Sequence, residues 1–240
     1  MSGNELKELR RKRGWTQVKA AKRLGLSQPY LALLEAEKRR MNERLTRKAV
    51  RVYGASPLML PVFEGNARME SLRSLRDDRQ DDRLAKELAA LGYPGFAYMK
   101  GGWKKHPMEV LLTALAKPNL EARQVEALPW VLPTYPQMNA DELVTRARSK
   151  SLTNKLGFVV GLARQVAERT DDPTSPRLLK LHQLEKELSE SRLVKEETLG
   201  QEDSLTVREK DWLRENRPEE ARYWNLLTRW KPEHLAYASA

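Results

Sequence analysis

The chain has 240 residues, a formal net charge of +11 from 44 basic and 33 acidic side chains, and no cysteine. That length buries a sizeable core and predicts two or more domains. The missing cysteines exclude a disulfide framework and thiolate metal sites. The apolar runs Val110 to Ala116 and Leu156 to Ala163 are too short to span a bilayer, and MSGNELKELRRKRG lacks the apolar core of a signal peptide, so a soluble cytoplasmic protein is expected.

The charge is not evenly spread. Residues 1 to 62 hold fifteen basic against five acidic side chains, which puts +10 in the first quarter and leaves +1 for the rest. A localised cationic surface of this kind suits a polyanion, because each neutralised phosphate releases counterions.

In chain order, residues 5 to 13 predict a first helix with Leu6 and Leu9 inward. Thr16 is placed to cap a second, whose Val18, Ala21 and Leu24 recur at spacings of three. Gly25 follows where a left-handed backbone ends that helix, Leu26 plugs the angle, and Ser27 caps a third helix with Tyr30, Leu31 and Leu34 inward. A fourth helix runs from about Asn42 to Tyr53 with Leu45, Ala49 and Val52 on one face, and Ser56 and Pro57 open a last short turn.

These residues carry a resemblance. Arg10, Gly14, Thr16, Gln17, Ala21, Leu24, Gly25, Ser27, Glu35, the run Lys38, Arg39, Arg40, and then Leu45, Tyr53, Gly54, Ser56 and Pro57 resemble the helix-turn-helix of the Xre or Cro family, phage repressors included. The resemblance implies a five-helix module of the lambda-repressor type over residues 1–62. It also implies that the helix after the turn lies in the major groove with its N-terminal residues on base edges. The outward positions are then Gln28, Pro29, Ala32 and Leu33. Gln28 can bond adenine twice, whereas Ala32 and Leu33 offer apolar contact suited to a thymine methyl. Gln17 resembles the family's phosphate-clamping glutamine, and Thr16, Lys19, Arg39 and Arg40 join it as expected backbone contacts. Arg10 and Glu35 resemble the family's inter-helix ion pair, a structural role.

Beyond the head, residues 63–83 are charged and read as a linker or solvated helix. Leu84 to Leu91 is amphipathic. The stretch GYPGFAYMKGGWKKHP reads as an ordered loop or short hairpin whose Tyr93, Phe96, Tyr98 and Trp103 either seal a core or contact a partner. Helical spacing returns at Val110, Leu111, Ala114 and Leu115. Asn119 is a candidate cap for a helix carrying Val125, Leu128 and Trp130 until Pro133 and Pro136 break it. Asn139 with Glu142 reads as a capping box before a span from Leu143 to Val166. Residues 84–170 are thus the helical core of a C-terminal domain, and 171–240 a helical extension. In that extension Leu178, Leu181, Leu184 and Leu188 either pack on the core or form a dimer seam. Thr206 with Glu209 is a second capping box, and Trp212, Trp224 and Trp230 gather near the end.

The predicted class is all-α. His106, His182 and His234 lack the spacing of metal ligands, and no phosphate-loop, nucleophile-elbow or dinucleotide pattern occurs, so no cofactor and no enzymatic activity are expected. The resemblance implies a DNA-binding transcriptional regulator, a repressor acting as a homodimer on an inverted repeat and associated with the nucleoid. An alternative is the antitoxin of a toxin-antitoxin or phage-defence operon. LAALGYPGFAYMKGG, EVLLTALAKPNL, VEALPWVLPTYP and ENRPEEARYWNLL resemble the long C-terminal regions of Xre-type proteins that accompany AbiEii-like nucleotidyltransferase toxins. An enzyme with a DNA-targeting head is a third, remote class.

Overall fold

A computed structural model describes residues 1–62, 80–100 and 104–238. The fold is all-α, in two compact units: Met1–Glu64 with Lys104–His106, and Gly65–Trp103 with Pro107–Ala240. The linker reading falls mostly outside the described residues.

The first unit is built from α1 (Gly3–Lys12), α2 (Gln17–Leu24), α3 (Gln28–Glu35) and α4 (Glu43–Tyr53), followed by a single 3-10 turn at Pro57–Met59. That turn stands where a fifth helix is expected. Each helix begins on a side-chain cap: Ser2 accepts from Glu5 N–H, Thr16 from Lys19 N–H, Ser27 from Tyr30 N–H and Asn42 from Leu45 N–H. Gly25, at φ 65°, closes α2 in the left-handed region and lets the chain turn into α3 within three residues. Leu6, Ala20, Ala21, Leu24, Leu31, Leu34, Leu45, Ala49 and Tyr53 form the core, with Leu9, Leu26 and Val52 packed against it.

Two expected core residues face outward. Val18 is 66 % exposed, because steps of three lag the 3.6-residue turn and leave it about 120° from Leu24, while Ala20 and Ala21 take the inward face. Tyr30 is 36 % exposed, beside the buried Leu31 and Leu34.

The second unit contains α5 (Gln80–Leu91), α6 (Pro107–Leu115), α7 (Ala122–Thr134), α8 (Ala140–Ser149), α9 (Thr153–Thr170), α10 (Pro176–Ser189), α11 (Val207–Asn216) and α12 (Glu219–Tyr223). Two short strands, β1 (Glu197–Thr198) and β2 (Leu226–Leu227), pair in parallel. Its centre is α9, buried over most of its length, with Leu156, Phe158, Val159, Val160, Leu162 and Ala163 in the core and Thr153, Asn154 and Lys155 buried beside them. Helices α6, α7, α8, α10 and α12 pack around it.

The structure corrects several expectations here. The span from Leu143 to Val166 is two helices, because Ser151 takes φ 54° between α8 and α9. Asn139 accepts from Glu142 N–H, but the Glu142 carboxylate turns to Arg146, so only half of the box forms. Asn119 caps nothing. Its amide donates to the Asp203 carboxylate and its amide oxygen accepts the Asp203 backbone N–H, and α7 starts at Ala122. Pro129 and Pro133 both lie inside α7, which ends one residue after Pro133. Of the two readings of Leu178, Leu181, Leu184 and Leu188, packing on the core is the one found: all four are buried, and α10 packs on α9 and α8. No strand occurs in the described part of the Gly92 to Pro107 stretch, where Pro94–Phe96 forms a 3-10 turn.

Trp224 is fully buried, and a Cβ on Gly157 of α9 would overlap its indole. The indole N–H donates to Glu220 at 2.9 Å, so the ring cannot slide aside without losing that bond. Gly157→Ala is therefore expected to cost about 1–3 kcal/mol by overpacking. Thermal denaturation would show this as a drop of roughly 2–4 °C per kcal/mol. An unchanged midpoint would mean that the indole is not seated against α9.

Candidate nucleic-acid interface

The site is assembled around a buried ion pair. Arg10 Nε donates to Glu35 Oε1 at 2.6 Å and Arg10 Nη2 to Glu35 Oε2 at 2.8 Å, a two-pronged contact from α1 to the end of α3. Arg10 Nη1 donates to the Trp15 carbonyl at 2.9 Å, fixing the α1–α2 connection as well. The side chains of Arg10 and Glu35 are 12 % and 2 % exposed. Burial alone would push the Glu35 carboxyl up; the Arg10 guanidinium, the Gln17 amide and the charge of Lys7 outweigh it and hold the group below its ordinary value. Burial, with the Glu35 charge adding to it, pushes the nearby Tyr53 hydroxyl up to about 12.

From the carboxylate a polar chain runs outward. Gln17 Nε2 donates to Glu35 Oε2 at 3.0 Å, and Gln28 Nε2 donates to Gln17 Oε1 at 2.8 Å. The first residues of α2 and α3 are thereby tied to each other and to the α1–α3 pair. The side-chain amide nitrogen of Gln28 carries two hydrogens. One is used by Gln17, leaving the second N–H and the carbonyl oxygen at the exposed start of α3.

Around this point the expected contact residues are reached by solvent. Pro29 occupies the first turn of α3, and Leu33 is 39 % exposed with Ala32 partly covered beside it. Thr16, Lys19, Arg39 and Arg40 are exposed; Thr16 uses its hydroxyl oxygen for the α2 cap, and among the described residues no carboxylate pairs with Lys19, Arg39 or Arg40. Val18 and Tyr30 join the exposed set. Neither was legible as outward, because each falls on a spacing that also fits a core stripe.

Of the two readings of the aromatic stretch, Tyr93 and Phe96 take the core-sealing one. Tyr93 and Phe96 are 3 % and 1 % exposed, stack edge-to-face on each other, and Tyr93 donates its hydroxyl to Glu126 at 3.0 Å; they are core of the second unit and not partner contacts. Tyr98 is exposed, and Trp103 lies outside the described residues. Among the described residues no group of three or more His, Cys, Asp or Glu is gathered to hold a metal ion, and no helix is long and apolar enough to cross a membrane.

Because the folded Glu35 carboxyl sits below its unfolded value, near 4.3, its stabilisation is complete above that pH and is lost as pH falls through the folded pKa. Acid titration is expected to weaken the first unit below about pH 4. Glu35→Gln, which leaves Arg10 uncompensated, is expected to cost about 3–5 kcal/mol at neutral pH and to flatten that acid limb. An unchanged acid limb in the variant would show that another group sets it.

A family model described as a helix-turn-helix domain matches residues 3–62, the four helices and the 3-10 turn of the first unit. No curated protein and no solved structure matches the chain significantly. Residues 3–62 are thus a helix-turn-helix domain, whose match and geometry support DNA binding.

Proposed function

We propose that the protein is a sequence-specific transcriptional regulator of the Xre or Cro type that docks α3 in the major groove of double-stranded DNA. The observation that carries this reading is the chain from Arg10 through Glu35 and Gln17 to Gln28, which delivers a pre-positioned amide to the exposed start of α3. The free N–H and carbonyl oxygen of that amide match adenine N7 and the adenine amino group. Pro29, Ala32 and Leu33 beside it present carbon only, which fits thymine methyls and makes an A·T-rich half-site the natural target. Thr16, Gln17, Lys19, Arg39 and Arg40 are assigned to phosphates on either side.

One such domain contacts few bases, so a homodimer on an inverted repeat, with half-sites roughly 34–36 Å apart, supplies the affinity. Occupancy near a promoter then excludes polymerase, which makes the protein a repressor that works by binding and not by catalysis. The antitoxin reading rests on C-terminal sequence segments alone, and no described feature of the second unit favours it over a plain regulator.

Duplex oligonucleotides selected from a random pool by the full chain test this directly. Binding is expected to weaken steeply with salt, and Gln28→Ala to cost about 1–3 kcal/mol and relax the preference for adenine at one position. Arg39→Ala and Arg40→Ala are expected to weaken binding to all sequences and each to reduce the salt slope by about 1. Salt-insensitive retention, or a Gln28→Ala variant with unaltered preference, would contradict the reading.

A further inference from the structure

The second unit holds a cavity that the DNA reading leaves unused. Its volume is about 530 Å3, within the range of small-molecule sites, and it opens between α11 and the segment that follows β2. The Trp212 and Trp230 indoles with Leu205 and Leu213 form its apolar body. Trp212 is 46 % exposed and borders Trp230 and Leu205 on the same wall, so the apolar surface there is contiguous and not a single scattered side chain.

The polar fringe of the cavity is rich in donors. The Arg229 guanidinium carbon lies 5.0 Å from the centre of a Trp212 ring, and among the described residues no carboxylate pairs with it. A guanidinium held over a ring by its carbon, with no carboxylate on its nitrogens, has N–H groups to offer a two-pronged contact. His234 stands edge-on to Trp230, with ring centres 5.8 Å apart, and its Nδ1 accepts the Lys231 backbone N–H at 3.2 Å. The ring proton of neutral His234 therefore sits on Nε2 as a donor. Gln201 adds an amide, while the Thr228 oxygen accepts from Trp230 N–H.

The one carboxylate on the wall, Glu209, is engaged elsewhere. Its Oε2 accepts both the backbone N–H and the hydroxyl of Thr206, each at 2.7 Å, in the capping box of α11. Its charge lies at that helix N-terminus and disfavours a dianion such as phosphate more than a single charge.

We propose that this cavity binds a small aromatic monocarboxylate, its ring against Trp212 and Trp230 and its carboxylate on Arg229 and the Nε2–H of His234. The indoles supply area and an edge or face for stacking. Arg229 supplies the charge-assisted hydrogen bonds that discriminate acid from amide. The second unit is in this account the sensor of the regulator, although ligand binding stands independently of the DNA reading.

Calorimetric titration of the full chain, without DNA, tests it with indole-3-acetate and benzoate and with neutral indole-3-acetamide as control. Saturable one-to-one binding of the acids is expected, with the amide at least about tenfold weaker. Arg229→Gln is expected to weaken the acids about tenfold and leave the amide unchanged, and Trp212→Ala to weaken all three. Arg229 and Trp212 both reach solvent, and near-ultraviolet circular dichroism checks that Trp224 keeps its environment in the variants. Absence of saturable binding in the millimolar range, equal affinity for acid and amide, or an unaltered Arg229→Gln variant would each overturn the proposal. None of these results depends on whether the first unit binds duplex.

Discussion

The pair between Arg10 and Glu35 is the constraint from which the first unit takes its shape. Two charges almost out of water cost desolvation that their attraction only partly returns. The structure offsets this by saturating the carboxylate: both oxygens accept from Arg10, and Oε2 also accepts from Gln17. A pair of apolar residues of the same volume would hold α1 against α3 equally well. It would not hand a fixed acceptor to Gln17, and Gln17 would then have nothing to hold Gln28 with. The charge pair thus contributes orientation more than net stability, and what it orients is the amide at the exposed start of α3.

The second unit solves a different problem with related means. A mostly buried helix, α9, is wrapped on several sides, and where its surface turns polar a seam forms. Arg164 donates to Glu185 at 2.5 Å and to Glu168 at 2.8 Å, and Gln165 donates to Glu220 at 2.5 Å. Burial, reinforced by the charge of Glu185, raises the Glu220 carboxyl above its ordinary range, while Trp224, Arg164 and Gln165 oppose the shift. Small residues let the partners close in. A side chain on Gly161 would run into Glu220, as one on Gly157 would into Trp224. These two glycines are places where the helix gives up propensity to gain packing.

How much could be read beforehand follows from the range of each interaction. Caps and turns act within three or four residues, so Thr16, Gly25 and Ser27 announced the boundaries of α2 and α3, whereas the Asn42 cap of α4 went unread. Stripes were less secure. Spacing alone placed Val18 inward, and only the competing presence of Ala20 and Ala21 turned it out. The break at Ser151 has no glycine or proline to mark it: a serine takes the left-handed region there. The Arg10 and Glu35 pair, 25 residues apart in sequence, came from resemblance. The Gln17 and Gln28 bond had no signal, since it depends on where α2 and α3 cross. Arg13, whose guanidinium closes the end of α4 through the Tyr53 carbonyl, was missed for the same reason. The aromatic cavity between α11 and the segment after β2 was equally hidden, although the gathering of tryptophans near the end of the chain hinted at it.

The central claim, that Gln28 is set by Gln17, is open to a double-substitution cycle in duplex affinity. Gln17→Ala, Gln28→Ala and the double variant would be measured on one selected duplex. Coupling of about 0.5–3 kcal/mol is predicted, because removing Gln17 removes the bond that orients the Gln28 amide. Losses that add to within about 0.3–0.5 kcal/mol would show that the two amides act independently and would contradict the account.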